Sequence, residues 1–354
     1  MPKPAAKKGK ATLPIYFATN RNVIQRPQGV EFGPDFNQAP NPMNFGRVRG
    51  TVKLDRDDYS PSDCVIETYA AKSFDPAVRK EITSAKGALL ISIHGFNYRF
   101  YEAALRTVWL SQWFANGNPG VPNTAVLFTW PSQGAFSLAS YRTDVQSVQN
   151  SPMAFDLFFD ELIGLIAEYR KGNPNGRVVL LVHSLGAYML TMGLPTSLGV
   201  GPGRYDPQGK AKLFDCAILA AADTDSDALR SPQKLQGLAD VAARIAVYYN
   251  GMDIPLTTFS PSVHHVARLG VDGPPNKLAF KGLPYEFINC AAASPSDDTT
   301  GEYLDWQHHQ YYRLVPEVRD DICGVISGLA PDKMPNRKYR KNANYYSLQS
   351  APTS

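Results

Sequence analysis

Ser184 stands in L-L-V-H-S-L-G-A-Y-M-L, where an apolar run ends at Val182 and a helical pattern begins at Ala187. A serine on so tight a strand-to-helix turn is held in a strained conformation with its hydroxyl projecting above the sheet, the arrangement called a nucleophile elbow. Gly186 supplies the small residue that the turn needs downstream, whereas Val182 stands where the usual motif has its first glycine. The pentapeptide alone therefore also reads as a helix-capping serine after a buried strand. A serine hydroxyl is a poor nucleophile near neutral pH, so acyl-transfer chemistry needs an imidazole base and a carboxylate to orient it. In the chain order serine, acid, histidine, Asp253 is the expected acid, in N-G-M-D after the run R-I-A-V-Y-Y. The base is His308 or His309, in W-Q-H-H-Q-Y-Y. The developing oxyanion needs two backbone donors: the N–H of Leu185, next to the serine, and one from I-S-I-H-G-F-N. There Gly95 allows a close turn, so the second donor is the N–H of Phe96, with Asn97 as the alternative, and His94 is read as structural.

These residues must be positioned by a sheet. Short apolar runs, Ala88–Ile93, Ala125–Trp130, Arg177–Val182, Cys216–Ala221, Arg244–Tyr249 and Tyr285–Cys290, alternate with helical patterns, the sequence form of a parallel sheet covered on both faces. Ile15–Asn22 and F-G-R-V-R-G-T-V-K-L read as two further strands, and the Pro/Gly/Asn-rich stretch between them as loop. Phe155, Phe158, Phe159, Leu162, Ile166 and Tyr169 recur at steps that predict an amphipathic helix, and a helix is also expected from Tyr101 to about Ala115. The fold class is α/β. With 354 residues, 44% of them hydrophobic and 19% charged, one large domain is expected rather than a disordered or fibrous chain.

Net charge is +4, yet residues 1–12 and 331–354 each carry +4, which leaves the body, 13–330, at −4. The basic residues are thus read as lying on two solvated, dispensable tails rather than on a folded face, which argues against a nucleic-acid partner. No apolar run is long enough for a membrane span, and M-P-K-P-A-A-K-K-G-K-A-T lacks the apolar core of a secretory signal, so a cytoplasmic location is expected. Cys64, Cys216, Cys290 and Cys323 form no C-x-x-C pair and read as free thiols.

Other suggestive residues have plainer readings. D-T-D-S-D, Asp223 to Asp227, opens like a calcium loop, but Ala228 and Lys234 stand where the glycine and the bidentate glutamate belong. Asp223 reads as a helix cap, and Asp225 is the alternative acid for the serine chemistry. His264 and His265 lack a third ligand at suitable spacing and read as surface or loop residues. His183 is expected to pack or hydrogen-bond behind Ser184. Trp130, Phe136 and Tyr141 follow a strand on the side where such sheets bind ligands, and are candidates for an acyl or alcohol pocket.

Taken in order, F-A-T-N-R, H-G-F-N, F-T-W-P-S-Q-G, H-S-L-G, A-A-A-D-T-D, N-G-M-D and H-H-Q-Y-Y resemble the α/β-hydrolases over about residues 13–315. The resemblance is to a bacterial esterase/lipase-like branch long catalogued as a domain of unknown function. It implies an α/β-hydrolase fold, a mostly parallel central sheet with helices on both faces. It also implies Ser184 as nucleophile, Asp253 as acid, His309 as base, and Phe96 with Leu185 as oxyanion donors. The H-x-Y-Y ending of that branch aligns with His309, Tyr311 and Tyr312, which selects His309 over His308. Members often have alanine where Val182 stands. The expected activity is a serine-dependent carboxylesterase cleaving a small-molecule ester through an acyl-serine, with no cofactor and no metal. The alternatives are an acyltransferase or thioesterase with the same three residues, and a non-catalytic scaffold on the same fold.

Overall fold

The computed structural model describes residues 9–27, 29–53, 59–115, 123–199, 205–208, 210–293 and 307–350. Thirteen strands are found among them: β1 (Lys10–Thr19), β2 (Arg21–Arg26), β3 (Gly29–Phe36), β4 (Asn44–Lys53), β5 (Cys64–Ala71), β6 (Leu89–Ile93), β7 (Thr124–Thr129), β8 (Val178–His183), β9 (Cys216–Ala220), β10 (Ile245–Tyr249), β11 (Tyr285–Asn289), β12 (Arg337–Arg340) and β13 (Tyr345–Leu348). Eleven form one sheet, in the order β12-β13-β11-β10-β9-β8-β6-β7-β1-β4-β5. Pairing is parallel from β13 through β1. It is antiparallel at the two ends, β12–β13 and β1–β4–β5. All six apolar runs of the central region are strands of its parallel part.

Those runs are apolar throughout because both faces of the sheet are buried. Along β8, Val178, Leu180 and Val182 belong to one core cluster, and Val179 and Leu181 to the other. The first face is covered by α1 (Pro76–Ser84), α3 (Leu138–Gln149), α4 (Pro152–Gly172) and α5 (Leu185–Ser197), which bury residues in that cluster. The predicted stripe from Phe155 to Tyr169 is the buried face of α4. The opposite face is covered by α2 (Phe100–Trp113), through Ala104, Leu105 and Val108, and by the helix Pro316–Ser327, through Val318, Ile322 and Val325.

Two expectations need correction. The stretch between the first two predicted strands is not loop, because β2 and β3 pair there as an antiparallel hairpin. The segments read as tails also enter the sheet. Lys10, Ala11 and Thr12 pair with Lys53, Val52 and Thr51 of β4. At the other end β13 pairs with β11, and Leu348 is fully buried. Residues 1–8 and 351–354 of those segments lie outside the described residues.

The physical reason at the C-terminal end is Arg337, whose side chain is only 1% exposed. Its Nε and Nη2 each donate to Asp321 at 2.7 Å, and its Nη1 donates to Glu286. Asp321 also accepts from the Tyr248 hydroxyl at 2.6 Å, so the Arg337 charge is held in an interior ion pair, while Lys333, Lys338, Arg340 and Lys341 stay exposed. Removing one partner of a buried pair leaves the other charge uncompensated. Arg337→Met should therefore cost about 3–5 kcal/mol, read as a lower denaturant midpoint, and deletion of 331–354 at least as much. A midpoint unchanged by either would show that the two C-terminal strands add nothing to the fold.

Candidate active site

Ser184 directly follows β8 and Asp253 lies just past β10, at the carboxyl edge of a parallel sheet where backbone N–H groups and loops converge on a ligand, and His309 is brought there by the later segment before the helix Tyr311–Leu314. Ser184 has φ 52° and ψ −126°, a sparsely populated positive-φ conformation for a non-glycine residue that costs on the order of 1–3 kcal/mol and must be imposed by its surroundings. Its N–H donates to Ala220 O and its carbonyl accepts from Asp223 N–H, each at 3.0 Å, so the end of β9 holds it from both sides. Gly186 is required because a Cβ there would lie 2.6 Å from His94 O and 2.8 Å from Ile93 O. Val182, where a glycine was missing, is wholly buried in the core with Ile93 and Leu219, and the turn forms regardless.

The three side chains meet. His309 Nε2 lies 2.9 Å from Ser184 Oγ, and Nδ1 lies 2.7 Å from Asp253 Oδ2. With Asp253 ionised, Nδ1 carries the proton and donates it, which leaves Nε2 to accept from the serine hydroxyl. All three are buried. Asp253 also caps the helix Ile254–Thr258, accepting from Leu256 N–H at 3.0 Å, so its rotamer is held from two directions. Ile254 N–H donates to Gln307 O at 2.9 Å and ties the acid's loop to the histidine's loop. Among the described residues, the side-chain hydrogen bonds seen for Ser184 and Asp253 run to His309 and to backbone groups and not to His308, whose positive-φ turn (φ 50°) precedes His309.

Behind the serine, His183 packs between rings: 4.6 Å from Tyr312 and 4.9 Å from His309, centroid to centroid. Its Nε2 is 3.3 Å from His309 O. Burial, and then the neighbouring His309, push its pKa well below the usual histidine value, so it is a neutral support.

The loop after β6 lies against Ser184, since a Cβ on Gly95 would fall 2.7 Å from the Cβ of that serine. His94 Nδ1 is 2.7 Å from Gly95 O, and Nε2 is 3.0 Å from Thr129 Oγ1. Burial, with nearby Arg21, lowers the His94 pKa to about 3, so the ring is neutral: Nδ1–H donates to the Gly95 carbonyl and Nε2 accepts from Thr129. Gly95 O and Phe96 N–H belong to one peptide unit, so holding the carbonyl towards His94 turns the amide the opposite way. Asn97 N–H donates to Asp144 at 3.3 Å, which leaves Phe96 as the candidate donor of this loop. Leu185 is the first residue of α5, where N–H groups lack intrahelical acceptors.

A cleft of about 600 Å³ opens beside His309, lined by Phe96, Asn97, Phe136, Pro255, Gln307 and Gln310 and also by Arg106 and Arg313. A slightly larger cavity, about 640 Å³, lies under the β2–β3 hairpin and contains none of Ser184, Asp253 and His309 in its wall. Chemistry rather than size selects the site. Of the three proposed pocket aromatics, Phe136 faces the cleft and is 45% exposed. Trp130 is wholly buried, stacked 5.0 Å from His94, and lines neither of these two cavities. Tyr141 is buried too, with its hydroxyl donating to Asp223 at 2.6 Å while its ring meets that of Phe96 at 5.4 Å.

The match to known families agrees with this layout. Residues 70–318 match the family model described as alpha/beta hydrolase of unknown function (DUF900). The chain belongs to that α/β-hydrolase family. No curated protein matches it. The matched span of this α/β-hydrolase runs from the end of β5 into the helix Pro316–Ser327, so it contains Phe96, Ser184, Leu185, Asp253 and His309. The four strands before β5 and the two C-terminal ones lie outside it.

The alternative acids of this α/β-hydrolase are occupied elsewhere. Asp223 accepts from Tyr141, from Ser260 at 2.6 Å and from Arg268 at 2.8 Å. Burial alone would raise its pKa, but Arg268 and the two hydroxyls overcome that and hold it below the usual value. Asp225 pairs with Lys234 at 2.7 Å and with Arg268 at 2.6 Å. His264 packs half-buried with its ring 5.0 Å from Tyr188, while His265 is exposed. Among the described residues no group of three or more His, Cys, Asp or Glu side chains is placed to hold a metal ion, and no helix is long and apolar enough to cross a membrane.

Two residues that sequence reasoning passed over shape the site. Arg21 is wholly buried and donates to Tyr98 O at 2.8 Å, to Gly33 O and Ser132 O at 3.2 Å, and to Thr129 Oγ1 at 3.1 Å. Its only signal was an arginine inside F-A-T-N-R at a strand end. Asp144 is a buried carboxylate on α3, marked in the sequence only by its place on the apolar side of a short helix.

Proposed function

We propose that this α/β-hydrolase is a carboxylic ester hydrolase that works through an acyl-serine intermediate, with Ser184 as nucleophile, His309 as general base and acid, and Asp253 as the orienting carboxylate. The observation that carries the reading is the continuous hydrogen-bonded path from Ser184 Oγ through His309 to Asp253, built on a serine already at φ 52°. His309 Nε2 accepts the hydroxyl proton as Oγ attacks the ester carbonyl, and the oxyanion forms between the Phe96 and Leu185 N–H groups. The imidazolium, stabilised by Asp253, returns that proton to the alkoxide leaving group, and the alcohol departs. Water then enters, gives its proton to His309 and attacks the acyl carbonyl; collapse of that second intermediate releases the acid and restores the serine.

Phe96 and Phe136 form an aromatic wall of the cleft, with ring centroids 5.9 Å apart, and Phe259 packs against Phe136 at 5.0 Å. An apolar acyl group suits that wall. The test is a series of uncharged p-nitrophenyl esters of increasing chain length, each assayed beside its thioester with a chelator present. Ester turnover that survives the chelator and vanishes in Ser184→Ala is expected. Turnover of thioesters only, or transfer of the acyl group to an added alcohol in preference to water, would replace the esterase reading with the thioesterase or acyltransferase one.

A further inference from the structure

The loop that offers Phe96 N–H to the nucleophile is held from behind by a carboxylate to which the chemistry above gives no role. Asp144 is fully buried on α3 and accepts three hydrogen bonds, from Asn97 N–H at 3.3 Å, from Gln133 N–H at 2.9 Å and from the Ser132 hydroxyl. Ser132 Oγ in turn accepts from Tyr98 N–H at 3.0 Å. Two successive amides, the pair directly after Phe96, thus end on Asp144 or on the hydroxyl that Asp144 orients. Asn97 has φ 68°, a left-handed conformation that a non-glycine residue keeps only under constraint. The constraint is visible on both sides of Phe96: His94 holds the carbonyl of Gly95, and Asp144 holds the amide of Asn97. Arg21 closes the frame by bonding Tyr98 O and Ser132 O.

We propose that Asp144 is a positioning residue for the oxyanion site, fixing the backbone of residues 95–98 so that the Phe96 N–H faces the oxygen that becomes charged as Ser184 attacks. This rests on the hydrolase reading above. Preorganised donors stabilise charge that develops only in the transition state, so their displacement lowers kcat more than it raises KM. A displacement of the order of 1 Å costs about a hundredfold.

The experiment compares Asp144→Asn with the parent protein and with Asp321→Asn, a change to an equally buried carboxylate at the far end of the sheet. Kinetics use a p-nitrophenyl ester, and inhibition uses phenylboronic acid, whose tetrahedral adduct on serine carries the charge that the oxyanion site is built to hold. For Asp144→Asn, kcat should fall about 10- to 1000-fold with KM within about threefold, inhibition should weaken by a similar factor, and the apparent pKa of the kcat profile should not move. Asp321→Asn should lower the denaturant midpoint and leave both readouts near parental values. Should Asp144→Asn prove insoluble, Ser132→Ala removes one of the three bonds and should show the same kcat-selective loss at about tenfold. A variant that is merely less stable, with kcat and boronate inhibition unchanged, overturns the proposal and leaves Asp144 a packing residue. A parent protein that turns over neither the ester nor its thioester would overturn the reading of an acyl-serine enzyme, and this inference with it.

Discussion

Ser184→Ala and His309→Ala should each lower kcat by about 10⁴- to 10⁶-fold, and the double substitution should cost little more than either one alone. In the proposed mechanism neither residue acts singly: Oγ is a competent nucleophile only while Nε2, 2.9 Å away, takes its proton. Once either atom is gone, what remains is binding and the oxyanion donors. Substrate affinity should change little, because the aromatic wall and the cleft are untouched. Circular dichroism and a denaturation midpoint close to those of the parent are needed beside the rates. His308→Ala is the internal comparison, since that neighbouring ring stands outside the hydrogen-bonded path, and its cost should stay under about tenfold. A large loss in His308→Ala together with near-parental kcat in His309→Ala would move the base to His308 and undo the alignment of H-x-Y-Y with His309.

Asp253→Asn should cost about 10³- to 10⁴-fold in kcat, less than the serine or histidine changes. An amide at this position can turn an N–H towards Nδ1, which favours the tautomer with its proton on Nε2, the wrong nitrogen for accepting from Ser184. The loss should fall mainly on kcat. Asp225→Asn should cost under about tenfold, because that carboxylate is tied to Lys234 and Arg268 and not to the imidazole. Reversal of this order, with Asp225→Asn crippled and Asp253→Asn active, would place the acid after β9 instead of after β10.

The central region was legible because its elements obey local rules. Apolar runs of strand length and the spacing of Phe155 through Tyr169 announce their strands and helix within a few neighbours, and a serine followed two residues later by glycine marks the strand-to-helix turn. The choice of His309 over its neighbour came from a resemblance, and the structure places His309 on the serine. What escaped notice depends on distant partners. Arg337 reads as a surface charge until Asp321 and Glu286, far away in the chain, are seen to enclose it. Arg21 and Asp144 are likewise ionisable residues buried by contacts with loops that only the fold brings together. Trp130 was misplaced because position after a strand does not say on which side of the loop a side chain lies; it stacks under His94, away from the cleft. The β2–β3 hairpin was obscured by its own glycines and prolines, among them Gly29 at φ 136° at the start of β3.

The claim on which the rest depends is that Ser184 is an activated nucleophile, and the most direct measurement is the intact mass of the folded protein after exposure to a fluorophosphonate. Attack of Oγ on phosphorus expels fluoride and leaves a stable phosphonyl ester on the serine. A single adduct on Ser184, absent from Ser184→Ala and from protein unfolded before exposure, is the predicted result. No adduct on the folded protein, or one that maps to another residue and persists in Ser184→Ala, would contradict it and leave a hydrolase fold without the chemistry assigned to it.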